Sequence, residues 1–137
     1  MYTMGCVFCE IAGGESKAYI VYEDADVMAF LDAYPVSTGH TLIVSKKHYE
    51  SILDIPKEMA SKVAAVSKEL AVLYKTRLGA TGFNTMQSSG KDANQTIMHY
   101  HMHLVPRYKD DGLSLWLHRN VNKEIDVASS FKRIKSG

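Results

Sequence analysis

His99-Tyr100-His101-Met102-His103-Leu104-Val105 is the stretch on which the reading of this chain turns. Histidines alternate with apolar residues, and a period of two is the signature of a half-buried strand. Extended outward, the pattern predicts a strand over residues 96–107. Side chains alternate faces along a strand, so His99, His101 and His103 are expected on one solvent-facing side and Tyr100, Met102 and Leu104 on an apolar one. A rise of about 3.3 Å per residue spaces successive histidines by roughly 6.6 Å. That is too far for all three to hold one metal, and close enough to line one cleft. A neutral imidazole is a competent nucleophile and proton carrier. Attack on phosphorus also needs donors around the phosphate oxygens. The polar loop 88–94 offers backbone N–H groups, and Gln95 and Thr96 offer side chains. Three solvated histidines with no chemistry are the bland alternative. Six histidines in the chain, three of them alternating within five positions, disfavour it.

Outward from this strand the patterns are mixed. Apolar-rich runs at 18–23 and 27–31 flank Asp24-Ala25-Asp26 and read as a hairpin. Residues 32–39, with Pro35 and Gly39, read as a loop, and 40–45 as a third strand. Pro56 suits the first turn of a helix, whose stripe is Met59, Val63, Val66, Leu70 and Leu73, with Tyr74 and Leu78 alongside. Gly79 suits its end. A fourth strand covers 82–87, and a short final helix falls near 123–134. Together these elements predict an α+β domain: a five-stranded antiparallel sheet packed with one long helix and a short N-terminal helix.

At 137 residues the chain fits a single domain, 1–137, with a core over 6–107 and a tail over 108–137. A net charge of +1 with no basic block argues against long nucleic acid as a partner. No apolar run reaches the ~20 residues that span a bilayer, and the first five residues lack the features of a signal peptide, so a cytoplasmic protein is expected. Cys6 and Cys9 form a Cys-x-x-Cys pair, which in a reducing compartment points to metal binding or redox chemistry rather than a structural disulfide.

The histidine run resembles the histidine triad (HIT) pattern His-φ-His-φ-His-φ-φ at every position, φ being apolar. Gln95-Thr96, Pro106-Arg107, Phe30-Leu31-Asp32, Gly39-His40-Thr41-Leu42-Ile43-Val44 and Lys46-Lys47-His48 are similar to family sequence too. The likeness runs from Cys6 to about Trp116 and points to the short Hint-like prokaryotic branch. It implies a nucleotide hydrolase or transferase acting at the α-phosphate, with His101 as the nucleophile and a nucleotidyl-histidine intermediate that releases AMP. His103 is implied to contact the phosphate and orient His101, with His40 close by and Thr96 and Gln95 at the phosphate or leaving group. Asp32 is implied to bind the ribose diol, while Phe30 and Ala33 belong to the base pocket of a purine nucleotide. Each has a plainer reading: Asp32 as a turn residue, His40 as a strand-edge histidine, Trp116 as core packing rather than a tail aromatic beside the site. The phosphate loop departs from the pattern, with Ser88-Ser89-Gly90 where relatives carry Asn-containing sequence and Asn94 in place of Gly. Asn tolerates left-handed backbone.

The resemblance also implies a structural zinc held by Cys6, Cys9, His48 and His99, and a homodimer built on the long helix and the strand after it. A closed Cys₂His₂ set leaves no position for water. The alternatives are an unligated thiol pair for the cluster, a dinucleoside polyphosphate hydrolase for the enzyme, and a nucleotide-binding interaction module with little catalysis. No cysteine follows Arg107, which argues against a DNA-deadenylating relative with an added zinc finger.

Overall fold

The computed structural model describes residues 5–115 and 117–136. Met1–Met4, part of the signal-peptide reading, and Trp116 lie outside them. The described elements are α1 (Val7–Ala12), β1 (Ile20–Glu23), β2 (Val27–Leu31), β3 (Thr41–Ser45), α2 (Lys57–Arg77), β4 (Gly82–Gln87), β5 (His101–Arg107) and α3 (Val127–Lys135), with two short 3₁₀ turns. The strands form one antiparallel sheet in the order β1-β2-β3-β5-β4. The α+β expectation holds, including the short N-terminal helix.

Both faces of the sheet's centre are covered, which explains why β2 and β3 read as unbroken apolar runs. On one face Val27, Ala29, Ile43 and Leu104 pack against Val63, Val66, Leu70 and Tyr74 of α2, with Tyr100 joining them. On the other, Met28, Phe30, Leu42 and Val44 pack against Phe8 and Ile11 of α1. His101 pairs with Val44 and His103 with Leu42. Both histidines therefore stand on the α1 face, and Tyr100, Met102 and Leu104 on the α2 face, as the alternation predicts.

Four expectations need correction. The last strand begins at His101, not at 96. A tight turn, His99 N–H to Ile97 O at 2.8 Å, and a bond from Tyr100 N–H to Tyr49 O at 2.7 Å take the preceding backbone out of the sheet. His99 is therefore not a third strand residue. Nor is the histidine face solvent-facing: α1 lies over it, and His101 is only 7% exposed. Leu73 falls off the helix's buried stripe and stays substantially exposed, as does Leu78. The final helix is shorter than expected, Val127–Lys135, and no residue of it is buried.

Gly39 connects the 32–39 loop to His40 with φ +88°, and a Cβ there would lie 2.6 Å from Leu78 Cδ1 and 3.2 Å from Pro106 Cγ. The flexible Leu78 tip can move aside, but the left-handed backbone still penalises a side chain. Gly39→Ala should lower stability by about 1–2 kcal/mol. A lower urea midpoint checks this; a midpoint matching wild type would refute it.

Candidate active site and metal centre

Hydrogen bonds dictate which nitrogen of each histidine carries a proton. His101 Nδ1 lies 2.7 Å from the carbonyl oxygen of His99. A carbonyl only accepts, so Nδ1 carries the hydrogen and Nε2 keeps its lone pair. The Val36 amide donates to His40 Nδ1 at 3.1 Å, which places the His40 hydrogen on Nε2. That hydrogen points to His103 Nδ1 at 2.9 Å, leaving His103 with Nε2–H as its available donor. Asp32 Oδ2 stands 3.4 Å from His40 Nε2. The result is a relay ending in one lone pair, on His101, and one donor, on His103. Their rings are 5.2 Å apart.

Burial keeps these rings neutral. It pushes His101 below the ordinary histidine value, against the opposing bond from the His99 carbonyl. It does the same to His40, opposed by Asp32. His103 is pushed from 6.5 down to about 4, first by burial and then by the neighbouring His101 and His40. The unfolded chain thus binds more protons than the folded one between these two values. The stability is fully present above about pH 6.5 and falls as pH drops toward about 4. Wild type should show a lower urea midpoint at about pH 5 than at about pH 7.5, and His103→Gln should show a smaller difference. Equal pH sensitivity in the two proteins would refute the assignment.

Cys6, Cys9, His48 and His99 come together at a second centre. His99 Nδ1 lies 3.4 Å from Cys6 Sγ, 3.5 Å from Cys9 Sγ and 3.2 Å from His48 Nδ1, and Cys9 Sγ is 3.3 Å from His48 Nδ1. A tetrahedral zinc with bonds of about 2.05 Å to nitrogen and about 2.3 Å to sulfur needs edges of about 3.3 Å and about 3.6 Å. The cluster has the size of that cage. His99 Nε2 donates to Ser45 O at 2.7 Å, which leaves Nδ1 as the ligand atom. Burial pushes His99 down to about 4 and the Cys6 thiol up. The neutral ring suits a ligand, and a divalent cation would offset the cost of a buried thiolate. Asp32, His40 and His103 also converge. They suit a cation poorly, because with Nδ1 accepting from Val36, binding at Nε2 would strip His40 of its last ring proton.

The two centres share parts. His99 sends its ring to the metal cage and its carbonyl to the nucleophile. Phe8, between the two cysteines, meets His101 edge-on at 5.1 Å, His99 at 5.9 Å and Phe30 at 5.4 Å. Phe8, Val36 and Ser45 were missed in the sequence. Phe8 has no signal beyond its place inside the Cys-x-x-Cys, while Val36 and Ser45 act through backbone atoms that no residue type advertises.

The other expected residues divide. Asp32 is a turn residue, its Oδ1 accepting from Tyr34 N–H at 2.8 Å, and it also lies beside His40. Phe30 is buried against Phe8, and Ala33 is exposed. Asn94 takes the left-handed backbone its type tolerates, φ 66°. Ser88 is half-buried, and its carbonyl accepts from Gln87 Nε2 at 2.9 Å. Gln95 differs from expectation. Its Oε1 accepts from Gly90 N–H, and its Nε2 donates to Glu50 O and Ile97 O. Both amide hydrogens are spent on shaping the loop, and none is left for a phosphate. Thr96 is exposed and lines a cleft of about 410 Å³ with Cys6, His48 and Met98, on the metal-centre side.

The HIT domain family model matches residues 13–110. The chain belongs to the histidine triad family. A HIT-like protein of Methanocaldococcus jannaschii is 45% identical over 131 residues, 95% of this chain and 98% of that protein. The protein "hit" of Bacillus subtilis is 38% identical over 113 residues, 81% of this chain and 78% of its own. Among solved structures, a zinc-bound histidine triad protein from Mycobacterium smegmatis superposes with a TM-score of 0.79 at 40% identity, covering 82% of this chain and 81% of that one. A HIT family protein from Bacillus anthracis gives 0.79 at 34% identity, covering 97% and 99%. Membership supports nucleotide hydrolase or transferase activity in general, and the Cys/His cage of this HIT chain is compatible with zinc. Among the described residues no helix is long and apolar enough to cross a membrane.

Proposed function

We propose that this HIT protein hydrolyses small nucleotide conjugates at the α-phosphate, nucleoside phosphoramidates above all, through a nucleotidyl group carried on His101. The observation that carries the reading is the tautomer of His101: Nδ1–H is held by the His99 carbonyl, and Nε2 has no hydrogen-bond partner among the described residues. Nε2 attacks phosphorus, and a P–Nε2 bond forms as the bond to the leaving group breaks. The leaving group departs with the electron pair and takes a proton from solvent, to which the attacking water of the second step returns one. His101, now nucleotidylated, carries a positive charge that the His99 carbonyl stabilises through Nδ1–H. His103 Nε2–H donates to a phosphate oxygen, and His40 holds His103 in the tautomer that can do so. Water then replaces His101 on phosphorus, losing a proton and freeing the imidazole and the nucleoside monophosphate. Asp32 accepts from the ribose hydroxyls, and Phe30 backs a purine pocket. Zinc in the Cys₂His₂ cage would be structural, holding α1 over β3 and the approach to β5.

The enzyme is expected to act as a homodimer. The test is AMP release from adenosine 5′-phosphoramidate, followed by chromatography. Multiple turnover supports the reading. AMP binding without turnover on this substrate, but with turnover on diadenosine polyphosphates, moves the assignment to the polyphosphate class. Binding with no turnover on either makes the chain a nucleotide-binding module.

A further inference from the structure

Cys6 and Cys9 are the chain's only cysteines, and they differ in a way that a purely structural cage does not need. Cys9 is 2% exposed. Cys6 is half-buried and lines the cleft of about 410 Å³ with Gly5, Val7, Ile97 and Met98. The approach beside it is open, since a Cβ built on Gly5 meets nothing within 4 Å. A small solute in that cleft meets Cys6, while Cys9, which does not line it, stays out of reach.

The two sulfurs are also close enough to react with one another. Cys6 Sγ accepts from Cys9 N–H at 3.4 Å, and the sulfurs of Cys6 and Cys9 lie 3.4 Å and 3.5 Å from His99 Nδ1. The four ligand atoms of the cluster all stand within 4.8 Å of one another. A disulfide bond is about 2.05 Å long, so the sulfurs must close by less than about 3 Å, a gap that rotation about the two Cα–Cβ bonds spans. Cys-x-x-Cys across the start of a helix is the spacing of reversible dithiol–disulfide couples. In a reducing compartment such bonds are transient and redox-sensing.

We infer that Cys6 and Cys9 form a peroxide-sensitive thiol pair, in which Cys6 is oxidised first and Cys9 closes the disulfide that opens the metal cage. The Cys6 sulfur attacks the outer oxygen of a hydroperoxide. The O–O bond breaks, leaving a sulfenic acid on Cys6 and releasing water or an alcohol. The Cys9 sulfur then displaces that oxygen as a second water and forms the S–S bond. The pair gives up two electrons, which the peroxide takes. The two thiols supply the two protons, or solvent does where the sulfurs start as metal-bound thiolates. Bond formation withdraws two of the four ligand atoms at once, and His48 and His99 alone are too few for a tetrahedral site. Val7 and Phe8 lie inside the ring so closed, and Phe8 meets His101 edge-on at 5.1 Å, so the change is made beside the proposed nucleophile. The oxidation itself does not rest on the proposed hydrolysis.

The test treats the full, zinc-loaded chain with hydrogen peroxide in modest excess. Denaturing mass spectrometry after alkylation follows the thiols, and a chromogenic chelator follows the metal. The expected result is a single chain that has lost two hydrogens, gained no oxygen and released one zinc per bond formed, with the thiols restored by dithiothreitol. Cys9→Ser should instead stop at a sulfenic acid on Cys6, captured by dimedone. Added oxygens on Cys6 with Cys9 still open to alkylation would overturn the inference, as would a disulfide joining two chains. So would both thiols surviving about 1 mM peroxide, or a Cys9→Ser chain that yields no dimedone adduct. The mass readout stands whether or not the chain carries metal, so failure of the zinc reading and failure of this inference are told apart.

Discussion

His101→Asn is expected to cut AMP release from adenosine 5′-phosphoramidate by about 10⁴-fold or more, the scale seen when a covalent nucleophile is removed. The choice of asparagine follows from the burial of His101. Alanine would leave the His99 carbonyl unpaired and open a cavity against Phe8, at a combined cost of about 2–4 kcal/mol. Asparagine carries an N–H donor at about the distance of Nδ1 and can keep that bond, while offering no nitrogen lone pair to phosphorus. The variant should still bind AMP with an affinity near that of wild type, because the groups assigned to ribose and base are untouched. Stopped turnover with intact binding separates a lost nucleophile from a lost pocket. A folded His101→Asn protein within tenfold of wild-type activity would remove His101 from its role. His103 would then be the next nitrogen to examine, although its Nε2 is protonated in this arrangement.

How far the sequence led follows from which interactions are local. The helix α2 and strands β2 and β4 were legible because periodicity is a local record of which side faces a core. The face shared by Tyr100, Met102 and Leu104 was legible for the same reason. The start of β5 was not: His99 stays in phase with the alternation, and only the distant Tyr49 carbonyl, taking the Tyr100 amide, shows that the backbone has left the sheet. The burial of His101 was equally hidden, since the ring covering it is Phe8, far away in sequence. Gln95 illustrates the opposite error. Its residue type offers donors, but Glu50 and Ile97 consume them, and no pattern in 88–96 reveals those partners. The metal cage came from the resemblance together with the Cys-x-x-Cys spacing, and the geometry adds ligand-atom separations of 3.2–3.5 Å around His99 and between Cys9 and His48. Tautomers lay beyond any sequence reading, because they are set by carbonyls and amides.

Cys6→Ser should act mainly on stability. Cys6 stands in two places: its sulfur belongs to the Cys/His cluster proposed to hold the metal, and it caps α1, accepting from Cys9 N–H at 3.4 Å. Serine is a good helix N-cap, so the second role survives the substitution and the loss isolates the first. A ligand held at a thousandfold excess over its dissociation constant stabilises by about 4 kcal/mol, which for a chain of this size is a fall in Tm of about 10–20 °C. Bound zinc, measured by elemental analysis, should drop from about one per chain toward zero. Activity measured well below the new Tm should fall less than tenfold, because four protein ligands leave the metal no position for water or substrate. Some loss is expected, since His99 serves both centres and a looser ring would loosen the carbonyl that aims His101. Complete loss of turnover in a folded Cys6→Ser protein would mean that the metal takes part in the chemistry. Unchanged zinc content and Tm would mean that Cys6 is no ligand, leaving three corners to hold the ion and α1 pinned over the sheet by Phe8 and Ile11 alone.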